Sequence, residues 1–140
     1  MISGEYSILL DAEALSELAA SGRRMAAWEV VARRTDSLLY VSALTFAETF
    51  NGTTGDAHLY RVRKALNVKD VTSEIGVRAG HLRAAAAATR RKARDLTVDA
   101  VVAATALTLP APVIVLTSDL ADLRLLLQGT SVKVEALANI

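Results

Sequence analysis

The chain has 140 residues, 52% hydrophobic and 22% charged, with 7 Gly and 2 Pro, proportions that predict one compact domain and exclude a disordered, collagen-like or low-complexity chain. Cysteine is absent, so disulfides, thiol catalysis and Cys-ligated metal sites are excluded, and two histidines, His58 and His81, cannot build a three-histidine site. The formal charge of +1 taken alone speaks against a strongly basic nucleic-acid binder, and no apolar run approaches the ~18–20 residues that span a bilayer, which predicts a soluble cytoplasmic protein with no membrane partner.

The first apolar run, Tyr6 to Leu10, ends in Asp11; Ala14, Leu15, Leu18 and Ala19 then recur at helical spacing until Ser21-Gly22. This reads as strand, turn, helix. A second helix is expected over 24–35, where Met25, Ala26, Trp28, Val31 and Ala32 recur at spacings close to 3 and 4, and a second strand from Leu38 to Ser42. Helical spacing resumes from Ala43 to Phe50 and breaks at Asn51-Gly52-Thr53-Thr54-Gly55-Asp56. Helical segments follow at about 57–66 and 73–89, joined by Asn67 to Val71 as a short strand or an extended link. Thr97 to Leu109 is apolar almost throughout and reads as a buried helix ended by Pro110-Ala111-Pro112. Val113 to Leu116 is a strand, Leu120 to Leu127 a helix closed by Gly129, and Val132 to Val134 a last strand. Short apolar strands alternating with helices predict a three-layer α/β/α sandwich around a short, mainly parallel sheet.

In such sheets the functional crevice lies beyond the carboxyl ends of the strands. Asp11 and Asp119 occupy that position after two strands, Asp99 opens the most apolar helix, and Glu48 lies between Phe46 and Phe50 on the helix after the second strand. Helix capping accounts for Asp11, Asp99, Asp119 and Asp122 one at a time, and a solvated face accounts for Glu48. Neither accounts for their common placement. Four converging carboxylates repel one another and call for a divalent cation, and oxygen-only ligation selects a hard one, Mg²⁺ or Mn²⁺.

These segments resemble the PIN-domain ribonucleases, in particular the VapC-type toxins of bacterial toxin–antitoxin pairs. The matching blocks are Ser7-Ile8-Leu9-Leu10-Asp11, Val41-Ser42-Ala43-Leu44-Thr45-Phe46-Ala47-Glu48, Thr97-Val98-Asp99-Ala100-Val101-Val102, and Val115-Leu116-Thr117-Ser118-Asp119-Leu120-Ala121-Asp122-Leu123. The resemblance implies a PIN-like fold and catalytic, metal-binding roles for Asp11, Glu48, Asp99 and Asp119, or Asp122 in place of Asp119, with Thr117 and Ser42 in support. Ala12 and Glu13 depart from the small or hydroxyl residues common after the first Asp, and Leu123 replaces a frequent Phe. The implied activity is hydrolysis of RNA phosphodiester bonds, tRNA or a ribosomal RNA loop among the substrates, leaving 3′-hydroxyl and 5′-phosphate ends. The implied partners are a small antitoxin that fills the groove and a second copy in a homodimer.

The charge distribution permits RNA. From Ala57 to Arg94 ten basic residues face only Asp70 and Glu74, a local charge of +8, and the rest of the chain carries −7. Arg90, Arg91, Lys92 and Arg94 run directly into the Asp99 block and are candidates for phosphate contact. Base stacking is less evident, since Tyr60 is the one aromatic residue of that region. Two alternatives stand beside this reading: a PIN fold that binds RNA or protein without cutting, and a haloacid-dehalogenase-like phosphohydrolase. The second normally needs an Asp where this chain has Glu13.

Overall fold

The computed structural model describes residues 5–89 and 95–137, so the cluster Arg90, Arg91, Lys92 and Arg94 lies outside the described residues. Five strands, β1 (Ser7–Leu10), β2 (Leu38–Ser42), β3 (Asn67–Lys69), β4 (Val113–Thr117) and β5 (Lys133–Ala136), form one sheet in the order β3-β2-β1-β4-β5. Every pairing is parallel. The helices among the described residues are α1 (Ala12–Ala19), α2 (Arg23–Arg34), α3 (Ala43–Thr49), α4 (Asp56–Arg63), α5 (Ser73–Ala87), α6 (Thr97–Ala106) and α7 (Leu120–Leu126).

Strand side chains alternate between two cores, as a pleated sheet covered on both faces requires. Leu9, Val113, Val115 and Val134 pack with Ile75, Ala79, Leu96, Ala103 and Leu123 of the α5, α6 and α7 side. Ile8, Leu10, Val41, Ile114 and Leu116 pack with Leu15, Met25, Trp28, Leu59 and Val62 of the α1, α2 and α4 side. The small side chains of α6, from Ala100 to Ala106, are all buried, which explains how an alanine-rich chain with few aromatics fills its interior. This is the expected three-layer α/β/α sandwich. No helix is long and apolar enough to cross a membrane among the described residues.

Two ambiguities of the sequence are resolved by backbone bonding. The segment after Asn67 is a strand, pairing Tyr40 with Asn67 and Ser42 with Lys69 at the sheet edge. The helix from Thr97 ends at Ala106 rather than Leu109 because Thr108 and Leu109 donate to the carbonyls three residues back, Thr105 and Ala106, a tightened last turn ahead of Pro110.

One helix start is built by its neighbour. Gly22 caps α2 without a side chain, and Glu17 of α1 takes over the cap by accepting a bond from the Arg24 amide at 2.9 Å. A Cβ on Gly22 would run into that Glu17 carboxylate. Glu17 also pairs with the Arg24 guanidinium at 2.8 Å, and the same Nη2 reaches Glu13 at 3.4 Å.

Candidate active site

The chain leaves the central strand β1 toward β2 on one side and returns through α5 and α6 to β4 on the other. The sheet therefore has its topological switch point between β1 and β4, where such folds open a crevice. A cleft of about 350 Å³ lies there, lined by the acids Asp11, Glu13, Glu48, Asp95, Asp99 and Asp119 together with Ala12, Val98, Val102 and Ser118. No basic residue lines it among the described residues.

Three helix N-termini meet at this cleft. Asp11 caps α1, Asp99 lies in the first turn of α6, and Asp119 precedes α7. Unpaired amides and aligned peptide dipoles favour negative charge at such ends. This is the local reason so many carboxylates share one crevice.

Asp11 is the most firmly held of them. Its Oδ1 accepts the Ala14 amide at 2.9 Å and its Oδ2 the Ser118 amide at 3.0 Å, while its own amide donates to the Leu116 carbonyl at 3.1 Å. The residue thus caps α1 and stitches the end of β1 to the loop after β4. Asp119 sits at a helix-capping position, yet its side chain makes no cap hydrogen bond. Thr117, fully buried, accepts the Asp119 amide at 2.8 Å instead. Capping accounts for the Asp11 carboxylate but not for that of Asp119.

Asp99, Asp119 and Asp122 each offer a carboxylate oxygen within 4.8 Å of the other two. Asp122 is 5% exposed. Oxygens around one small hard cation at about 2.1 Å lie about 3 Å apart when adjacent and about 4.2 Å when opposite. A set spread over no more than 4.8 Å closes on such an ion by movements of under about 1 Å, so this trio fits a divalent cation. Asp119 and Asp122, alternatives in the sequence, both belong to it.

Asp11 and Glu48 line the same cleft outside that trio. Glu48 is exposed on α3, and its carboxyl is pushed above the usual range, first by partial desolvation and second by the charge of Asp11. Ser42 is fully buried and caps α3 through a bond from the Leu44 amide at 3.2 Å; like Thr117 it shapes the backbone and does not line the cleft.

Asp95 is an acid of the cleft that the sequence reading missed. Its Oδ1 accepts both the Thr97 hydroxyl at 2.6 Å and the Thr97 amide at 2.9 Å. Those bonds, the hydroxyl's first, together with the charge of Arg83, hold its carboxyl below the usual range against some desolvation. The signal was its place two residues before Thr97, where an Asp side chain commonly turns back to accept the amide two residues on. Glu13, of open role in the sequence, lies on the rim and is paired with Arg24.

The model of the PIN domain family matches residues 8–124. The chain is a PIN-domain protein. Among solved structures, this PIN-domain chain is similar to one in a FitAB complex bound to a DNA fragment, at 21% identity and TM-score 0.66, covering 93% of this chain and 94% of that one. A chain of VapBC2 from Rickettsia felis, bound to a promoter DNA fragment, matches at 12% identity and TM-score 0.71, with 93% and 98% covered. A chain of VapBC-1 from nontypeable Haemophilus influenzae matches at 16% and 0.68, with 94% and 98% covered. No curated protein gives a significant match in sequence.

Proposed function

We propose that this PIN-domain chain is a metal-dependent endoribonuclease that hydrolyses RNA phosphodiester bonds, and that it is the toxin of a toxin–antitoxin pair. The observation that carries the enzymatic part is the trio Asp99, Asp119 and Asp122, oxygens within 4.8 Å, two of which, Asp99 and Asp119, line a cleft with four further acids. Asp99, Asp119 and Asp122 would hold Mg²⁺ or Mn²⁺, with Asp11, in the same cleft and bonded to Ser118, as a further ligand. The ion supplies charge neutralisation for the scissile phosphate and a more acidic water. In this scheme water oxygen attacks phosphorus, the bond to the 3′ oxygen breaks, and that oxygen takes a proton from solvent water and leaves as a hydroxyl. Glu48 accepts the proton of the attacking water at its carboxylate. Asp11, fixed by two amide bonds, keeps the β1 and β4 ends in register, and Thr117 and Ser42 hold the loops that carry the acids.

The toxin reading is supported by the VapBC and FitAB chains that share the fold. It brings with it a small antitoxin partner, a homodimer and a cytoplasmic site of action. Purified protein freed of any partner should cut single-stranded RNA with Mg²⁺ or Mn²⁺, stop with EDTA, and leave 5′-phosphate ends. Asp99→Asn should abolish cleavage with the fold intact; undiminished cutting by that variant would overturn the assignment.

A further inference from the structure

The aromatic residue that looked isolated in the sequence is not isolated in the fold. The Tyr60 ring on α4 packs edge-on against Phe50 at 4.9 Å, and Phe50 against Phe46 at 5.6 Å. Both phenylalanines of the chain thus stand behind one tyrosine, in a protein with 4% aromatic residues. Phe46 and Phe50 pack against the core on the α1 and α4 side, whereas Tyr60 is 56% exposed. The Arg63 guanidinium stands over the Tyr60 ring at 5.9 Å.

Three features say what this surface fits. Tyr60, Arg63 and Lys64 are spaced i, i+3 and i+4 and share one face of the helix end. Among the described residues the ion pairs are those of Arg24 with Glu13 and Glu17, so neither Arg63 nor Lys64 is neutralised. Asp56, the acid nearest on α4, is occupied by the Asn51 and Gly52 amides. An exposed ring on a rigid apolar backing beside two uncompensated cations is complementary to a nucleobase and its phosphates. It is a poor match to a purely apolar or a basic protein segment.

Its place in the fold connects it to the cleft. Phe46, Glu48 and Phe50 alternate along α3, so the helix turns Glu48 to the cleft and the two rings to the opposite side. One helix diameter, about 10–12 Å, separates the acid from the rings. We propose that Tyr60, backed by Phe50 and flanked by Arg63 and Lys64, is a base-stacking subsite for a single-stranded polynucleotide that passes over α3 from the cleft. The subsite rests on the nuclease reading for its strand, and supplies the base contact that the acidic cleft lacks.

The test is fluorescence anisotropy of a short labelled oligoadenylate with the full chain in EDTA, where no cutting occurs. Tyr60→Ala should weaken binding by about tenfold, Tyr60→Leu should weaken it equally, and Tyr60→Phe and Tyr60→Trp should restore it. The salt dependence of Tyr60→Ala should match wild type, whereas Arg63→Gln and Lys64→Gln should each lower the slope by about 0.7. Wild-type affinity in Tyr60→Ala, or full binding by Tyr60→Leu, would overturn the subsite. Cleavage distinguishes the two readings. A wild type that cuts RNA while Tyr60→Ala binds normally leaves the nuclease and removes the subsite; Tyr60-dependent binding with no cutting in Mn²⁺ removes the nuclease and keeps the subsite; no binding by wild type overturns the subsite.

Discussion

Substitution of Asp99 or Asp122 by asparagine should remove most of the stabilisation that a divalent ion gives the folded chain. An ion that binds only the folded state contributes RT ln(1 + [L]/Kd), about 2.7 kcal/mol at a hundredfold excess over Kd. For a chain of this length that corresponds to a rise in Tm of roughly 6–11 °C. The oxygens of Asp99, Asp119 and Asp122 lie within 4.8 Å of one another, so each is asked to make one charge-assisted contact worth about 1.5–3 kcal/mol. Exchanging one carboxylate for a neutral amide raises Kd by roughly 10–150-fold. At the same ion concentration the stabilisation then falls to between about 1.3 and 0.3 kcal/mol. Thermal unfolding in EDTA and across a Mn²⁺ titration measures this directly, with Glu29→Gln on α2 as the control that keeps the full shift. Asp99→Asn and Asp122→Asn melting with the wild-type Mn²⁺ response would refute the metal trio, whatever their effect on RNA cleavage.

Asp11 separates capping from chemistry. Asparagine can keep the cap bond from Ala14 but turns its NH2 toward the Ser118 amide, so Asp11→Asn should lose less stability in denaturant than Asp11→Ala while RNA cleavage is lost; Asp11→Ala loses the bonds from both Ala14 and Ser118 and should cost about 1–2 kcal/mol. Gly22→Ala would drive its Cβ into the Glu17 carboxylate, and uncapping α2 should lower the denaturant midpoint; Glu17→Ala should lower it likewise, and a stabilised Gly22→Ala would contradict the shared cap. Glu48, whose carboxyl titrates above its ordinary value through desolvation and the charge of Asp11, binds its proton more tightly in the folded state. The stability linked to that proton is present below the unfolded value and lost as pH rises through the raised one. In EDTA, Glu48→Gln should melt with wild type at low pH and above it near neutrality, and a gap that widened on acidification would reverse the sign.

The fold was legible because hydrophobic period and punctuation agree along most of the chain. Ser7 to Leu10 and Val113 to Thr117 are buried at every position, and a continuous apolar run bounded by polar turns is what a doubly covered parallel strand leaves in a sequence. The edge strand at Asn67–Lys69 was ambiguous because Asn67 and Val68 are exposed and Lys69 half-buried, so no alternation marks it. At the site, strand ends pointed to Asp11 and Asp119, but separate blocks of sequence carry no distances. The close trio of Asp99, Asp119 and Asp122, with Asp11 and Glu48 in the cleft but outside it, depends on the relative placement of α6 and α7 over the sheet. Asp95 was hidden by its neighbours, since an acid beside a basic run reads as charge balance until Thr97 is seen to hold it at the cleft. Tyr60 was undervalued for the opposite reason: its aromatic partners are ten and fourteen residues away in sequence, across the turn-rich loop.

The near-zero net charge conceals a division of labour that the fold makes spatial. Six carboxylates line one cleft with no basic residue among its described walls, a surface that by itself repels a polyanion within about one Debye length, roughly 8 Å at physiological salt. A strand of RNA can reach the acids only if cations compensate them. On the proposed reading, a bound ion would supply one or two positive charges at the reacting phosphate, and Arg63 and Lys64 on α4 would supply contacts beyond α3, past most of the screened field. The surplus of +8 between Ala57 and Arg94 against −7 elsewhere is then the pattern that a carboxylate nuclease requires. On that reading binding energy would come from outside the cleft, and the acids inside would remain available for the ion and the water.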